Sequence, residues 1–128
     1  MFPKIRAPFF IFVLTFCLFG LFSLFLIDPL HDAVVIIPAV DVSHGKVLFR
    51  EVFTQYGALF TFTQAFALKS LGIHIYTIRF VTLLFYSGTA VLLWSIYRRF
   101  LPFKWNLLAF LLWLGLSPVY WWYFHSWS

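Results

Sequence analysis

Apolar residues in this chain come in long unbroken runs rather than at helical or alternating spacing. Ala7 to Ile27 is 21 residues without a charge, and a helix rising 1.5 Å per residue needs about 20 apolar residues to cross a bilayer. Phe80 to Tyr97 is a second run, 18 residues bounded by Arg79 and by Arg98-Arg99, whose charges can snorkel to the two interfaces. Trp105 to Trp122 is a third, opening after Leu101-Pro102-Phe103-Lys104 and carrying Pro118 near its far end. Ala58 to Leu68 is apolar but too short to span comfortably, so it is expected to be interfacial or re-entrant and packed on protein. The pattern predicts an all-α integral membrane chain: three transmembrane helices, about 7–27, 80–97 and 105–122, and a long loop over 28–79 containing short interfacial helices.

That loop has its own punctuation. Asp28-Pro29 reads as a helix start, with Asp at the N-cap and Pro at the first helical position. His31–Val42 then carries Val34, Val35, Ile37 and Val42 with acids toward its ends, which suits a short helix lying in the interface. Ser43-His44-Gly45 predicts its closing turn, with Gly45 as a left-handed cap. Val47–Tyr56 is mixed and predicts irregular structure, Tyr56-Gly57 a turn launching the next helix, and Ser70-Leu71-Gly72 its end.

Composition agrees with the pattern: 63% hydrophobic, 10% charged, mean hydropathy +0.96, with 19 Phe and 6 Trp, the profile of a membrane protein. The net charge of +5 brings nucleic acid to mind, but the basic residues sit at the ends of apolar runs and form no face to track phosphates, so no nucleic-acid partner is expected. Their distribution sets orientation instead. With three spans, Lys4, Arg6, Arg98, Arg99 and Lys104 fall on the cytoplasmic side, as the positive-inside rule requires, and the loop becomes exoplasmic. The expected location is a cytoplasmic (inner) membrane, multi-pass, with the N-terminus inside. The opening Met1-Phe-Pro-Lys4-Ile-Arg6 resembles a signal peptide, but the following run is too long for an h-region and no A-x-A site precedes Asp28. It reads as an uncleaved first span. Cys17, the single cysteine, lies inside that run and excludes a disulfide framework or a Cys-based metal site.

Candidate chemistry concentrates in the loop, because all four carboxylates, Asp28, Asp32, Asp41 and Glu51, lie within 24 residues of one another. On a helix starting at Asp28, His31 and Asp32 share its face at i+3 and i+4. Such a group can act as a general base or ligate a divalent metal. N-capping accounts for Asp28, and the helix dipole partly for Asp32; His31 suits a hydrogen-bonding neighbour of Asp32. No diagnostic ligand spacing supports a metal, and no cofactor is expected. Lys46, Arg50 and Arg79 can meet headgroups and loop acids such as Glu51, or grip a lipid-linked phosphate, for which the Arg fork is suited. Tyr56 fits either an interfacial ring or a substrate groove, and His125 an interfacial position.

These residues together resemble the N-terminal part of the GT-C superfamily of multi-pass glycosyltransferases, which includes protein mannosyltransferase-like and aminoarabinose transferase-like enzymes using polyprenyl-phosphate sugars. The resemblance is carried by a first span, then Asp28-Pro-Leu-His31-Asp32, Gly45-Lys-x-Leu-Phe-Arg50 and Gln55-Tyr56-Gly57-Ala58-Leu59, then Arg79 ahead of the second span and Tyr97-Arg98-Arg99 after it. Ala33 and Ala58 depart from it, standing where related sequences often have Gly and Pro. The resemblance implies sugar transfer with inversion from a lipid phosphate, with a first-loop acid as general base on the acceptor hydroxyl: Asp32 first, Asp28 second. It implies His31, Arg50, Tyr56 and Arg79 as substrate-binding, and membrane lipid and a lipid-linked sugar donor as partners. Such enzymes have many more spans, so the chain is expected to be a fragment, a truncated frame or one piece of a split enzyme, with the remainder as a further partner.

Two other classes compete. A small non-catalytic multi-pass protein, such as a lipid-linked-sugar flippase-like or assembly subunit, usually has four spans and short loops, unlike the long charged loop here. A transporter fragment would place ionisable groups inside the spans, and the apolar runs contain none.

Overall fold

A computed structural model of the chain describes residues 6–25 and 29–125. It is all-helical: α1 Arg6–Phe25, α2 Pro29–Ser43, α3 Ala58–Leu71, α4 Ile75–Phe100 and α5 Phe103–His125. Among the described residues the extended pairing is an isolated bridge between Leu48 and Val52. By length and composition α4 is the one described helix able to cross a membrane; Ala7–Ser23 and Phe103–Ser117 are shorter apolar segments.

Two compact units divide the chain, one from Ser23–Thr82, the other from Met1–Phe22 together with Leu83–Ser128. In the first, α2 packs against α3. Ala39, Leu68 and Ile78 form the buried centre, with Val35, Ile36 and Val40 against it. Pro29 is the first residue of α2, the position where a missing N–H costs nothing; the expected capping residue, Asp28, lies outside the described residues. Pro38 sits within α2. A mid-helix proline costs about 3 kcal/mol, and the neighbouring Ile36, Ala39 and Val40 contacts hold the helix through it.

The turns fall where glycine and its neighbours predict them. Gly45 (φ 95°) follows α2 and Gly72 (φ 102°) ends α3, both in the region that favours glycine. Between α2 and α3 the chain is irregular: Phe49 N–H donates to the Val52 carbonyl and the Glu51 carboxylate accepts from Val47 N–H at 2.8 Å. Helix α4 begins earlier than the apolar run does. Thr77 N–H donates to the His74 carbonyl, and the Thr77 hydroxyl reaches back to the Gly72 carbonyl at 2.9 Å. These bonds satisfy the start of the helix. Arg79 therefore lies within α4 rather than at its opening.

In the second unit the core is Ile11, Ala90, Trp94 and Phe110, with Leu14, Val91, Trp113 and Leu114 packed on it. Aromatic contacts extend it. Phe19 meets Tyr86 at 4.5 Å between ring centroids, Tyr86 stacks on Trp113 at 5.0 Å, and Trp94 meets Phe110 edge-on at 5.7 Å. Arg98 lies 5.6 Å over the Phe103 ring, a cation–π contact between the end of α4 and the start of α5.

Beside these apolar cores, several polar side chains are buried and many large apolar ones are exposed. The largest fully buried side chains are Leu68, Gln64, Asn106, Thr15 and Ser87, while Phe9, Leu21, Leu59, Phe66, Leu92 and Leu112 are among the exposed ones. Four of these five large buried side chains are polar, beside the fully buried Ala39 and Ala90.

Candidate functional site

The three carboxylates in the described residues have separate partners. Asp41, partly buried, pairs with the exposed Lys46 at 2.8 Å, and Glu51 caps its own turn at Val47. Asp32 stands apart. It occupies the first turn of α2, and its Oδ2 accepts from Arg79 Nη2 at 2.8 Å, with the side chains 24% and 12% exposed.

Arg79 is held from a second direction as well, donating through Nη1 to the backbone carbonyl of Ser23 near the end of α1. The guanidinium therefore ties the end of α1, the start of α2 and the start of α4 within one unit. A planar fork of five donors is suited to that geometry, and a lysine point charge is not. Because Oδ2 faces Arg79, a base at this position works through Oδ1.

Of the other candidates, Arg50 is exposed on the 47–52 turn, its backbone N–H donating to the Val47 carbonyl. Tyr56 is partly buried, its ring 5.5 Å from that of Phe60 and its N–H bonded to the Thr54 hydroxyl at 3.2 Å. His31 lies in the first turn of α2 by its backbone; its side chain, like Asp28, lies outside the described residues, as does that of His125. The structure thus joins Asp32 with Arg79. No group of three or more His, Cys, Asp or Glu side chains that could hold a metal ion occurs among the described residues.

Two features escaped the sequence pattern. The Asp32–Arg79 pair joins positions 47 residues apart, and no periodicity links residues at that distance; the signal was only an acid and a base at opposite ends of one loop. Gln64 is the other. It is fully buried, its Nε2 donating to the Thr82 hydroxyl at 3.3 Å, with Oε1 lacking a partner among the described residues. A lone amide in an otherwise apolar helix was its signal.

An acid held at the mouth of an apolar helix by an arginine that is itself anchored can orient a hydroxyl group, accept its proton, or serve as a fixed polar strut. No protein-family model, curated protein or solved structure matches this chain.

Proposed function

We propose that this chain is a membrane-embedded part of a glycosyltransferase that uses a polyprenyl-phosphate sugar, with Asp32 as the base acting on the acceptor. The observation that carries the reading is the Asp32–Arg79 pair. A carboxylate and a guanidinium fixed together beside an apolar helix are a candidate functional site. Helices α1, α4 and α5 are read as the three spans, with the N-terminus cytoplasmic and the 28–79 loop exoplasmic. The many large apolar side chains exposed on the helices support lipid as the surrounding medium.

In the proposed step Asp32 takes the proton of the acceptor hydroxyl as its oxygen attacks the anomeric carbon. The bond from that carbon to the phosphate oxygen breaks, and polyprenyl phosphate leaves with the electron pair. Arg79 positions the carboxylate so that its remaining oxygen meets the hydroxyl, a geometric role of the kind general-base catalysis demands. Arg50 and Tyr56 are the proposed contacts for the donor, with Arg50 free to swing toward its phosphate.

A second reading is favoured by one observation: Arg79 is committed to Ser23 and Asp32, as in a strut of a non-catalytic membrane subunit. One experiment separates the two. Cells lacking the gene are complemented with wild type or Asp32→Asn, and isolated membranes are assayed for sugar transfer from a labelled polyprenyl-phosphate donor into envelope acceptors. The enzyme reading expects loss of transfer with Asp32→Asn at unchanged membrane abundance, on the order of the 10²–10⁴-fold contribution of a general base. Transfer by Asp32→Asn at the wild-type rate removes Asp32 as the base.

A further inference from the structure

Helix α3 buries polar side chains while leaving its largest apolar ones exposed. Its buried residues are Thr61, Gln64, Ala65, Ala67 and Leu68, so the face turned into the unit carries a threonine and a fully enclosed glutamine. Leu59, Phe62 and Phe66 are 82%, 52% and 73% exposed. At 100° per residue these three and Lys69 fall within an arc of roughly 80°, a single stripe along the helix. In water that arrangement would turn the phenylalanines inward and the glutamine outward.

Two further observations identify what covers the stripe. Only Gly72, Ile73 and His74 separate α3 from α4, the helix long and apolar enough to cross a membrane, so the C-terminal end of α3 is tethered within about 14 Å of the start of α4. The stripe also ends in a positive charge: Lys69 is the basic residue of the last turn, placed as an interfacial helix places a cation at the phosphate level.

We propose that the Leu59–Phe62–Phe66 face of α3 is a lipid-binding surface, seated in the acyl region of the leaflet that α4 enters, with Lys69 meeting an anionic phospholipid headgroup. The proposal rests on the membrane reading above and is independent of the sugar chemistry. It makes α3 a fixed float that sets the depth of α2 and Asp32 relative to the bilayer.

The test is spin-label accessibility in the full chain, reconstituted in vesicles of phosphatidylcholine and phosphatidylglycerol. Cys17→Ser removes the single native thiol, and a nitroxide is attached in turn at Leu59→Cys, Phe62→Cys, Phe66→Cys and Lys46→Cys. Leu84→Cys and Leu92→Cys, at exposed positions on α4, report the span itself. Phe62 and Phe66 labels are expected to collide with oxygen more than with a water-soluble nickel chelate, the ratio at exposed Lys46 being inverted. Nickel accessibility at Phe62 and Phe66 matching Lys46, with the α4 labels lipid-exposed, overturns the lipid face and leaves the membrane reading standing. Low accessibility to both reagents means that protein, a second copy or another chain, covers the stripe and also overturns it. Nickel access at Leu84 and Leu92 overturns both readings together.

Discussion

Arg79 bonds both to a carboxylate and to a backbone carbonyl. An exposed ion pair contributes about 0–1 kcal/mol, whereas removing one partner of a buried pair costs about 3–5 kcal/mol. With side chains 12% and 24% exposed, this pair lies between those limits. A double-mutant cycle of Asp32→Asn and Arg79→Gln, followed by thermal unfolding in detergent, is expected to give a coupling energy of about 1–3 kcal/mol. Additive effects would show that the two side chains do not act together. Asp41 and Glu51 pair locally, with Lys46 and with the backbone of Val47. Short-range partners of this kind follow from neighbouring residues. The Asp32–Arg79 contact was not legible in that way, because it depends on how α2 and α4 meet and not on any local spacing.

At the scale of elements, turn chemistry proved the most informative part of the sequence. Gly45 and Gly72 both adopt positive φ, as a closing turn demands. Gly72, at φ 102° and ψ 155°, lies in a region open essentially to glycine alone, and a Cβ there would meet the His74 ring at 3.4 Å. Gly72→Ala is accordingly expected to destabilise the chain by about 1–3 kcal/mol, read as a lowered unfolding temperature in detergent; an unchanged value would show that the link between α3 and α4 adjusts freely. The start of α4 was less legible than those of α2 and α3. Hydropathy places the second run after Arg79, yet α4 starts at Ile75, because the Thr77 bonds to Gly72 and His74 decide the boundary. The short helix over 58–68 was legible as a helix packed on protein, and α2 is the element it packs on. Its inward Gln64 was not, since pattern alone does not say which face of an apolar helix is covered.

For the whole molecule, the distribution of polarity is the quantity that composition could not supply. A mean hydropathy of +0.96 says that the chain is apolar; it does not say where the polar side chains go. Four of them, Thr15, Gln64, Ser87 and Asn106, are fully enclosed, others such as Thr89 and Ser95 stay exposed, and large hydrophobic side chains line the outside of every helix described. Asn106 bridges to α4 through the Trp94 carbonyl at 3.4 Å, an interhelical hydrogen bond of the type that contributes about 0.6 kcal/mol, at most about 1.7, between helices in lipid. The expected outcome is retention of the chain in the membrane pellet after alkaline carbonate extraction, with release into the supernatant counting against spanning helices.

The 47-residue separation of Asp32 and Arg79 also governs how the protein is made. At a synthesis rate of about 5–20 residues per second, Asp32 precedes Arg79 out of the ribosome by about 2–9 s. During that interval α2 has no arginine to hold it, and the carboxylate is left to water and headgroups. The site is therefore the product of a late event in biogenesis. Its assembly waits on the delivery of α4, so any chain interrupted before residue 79 carries the acid without the geometry that orients it.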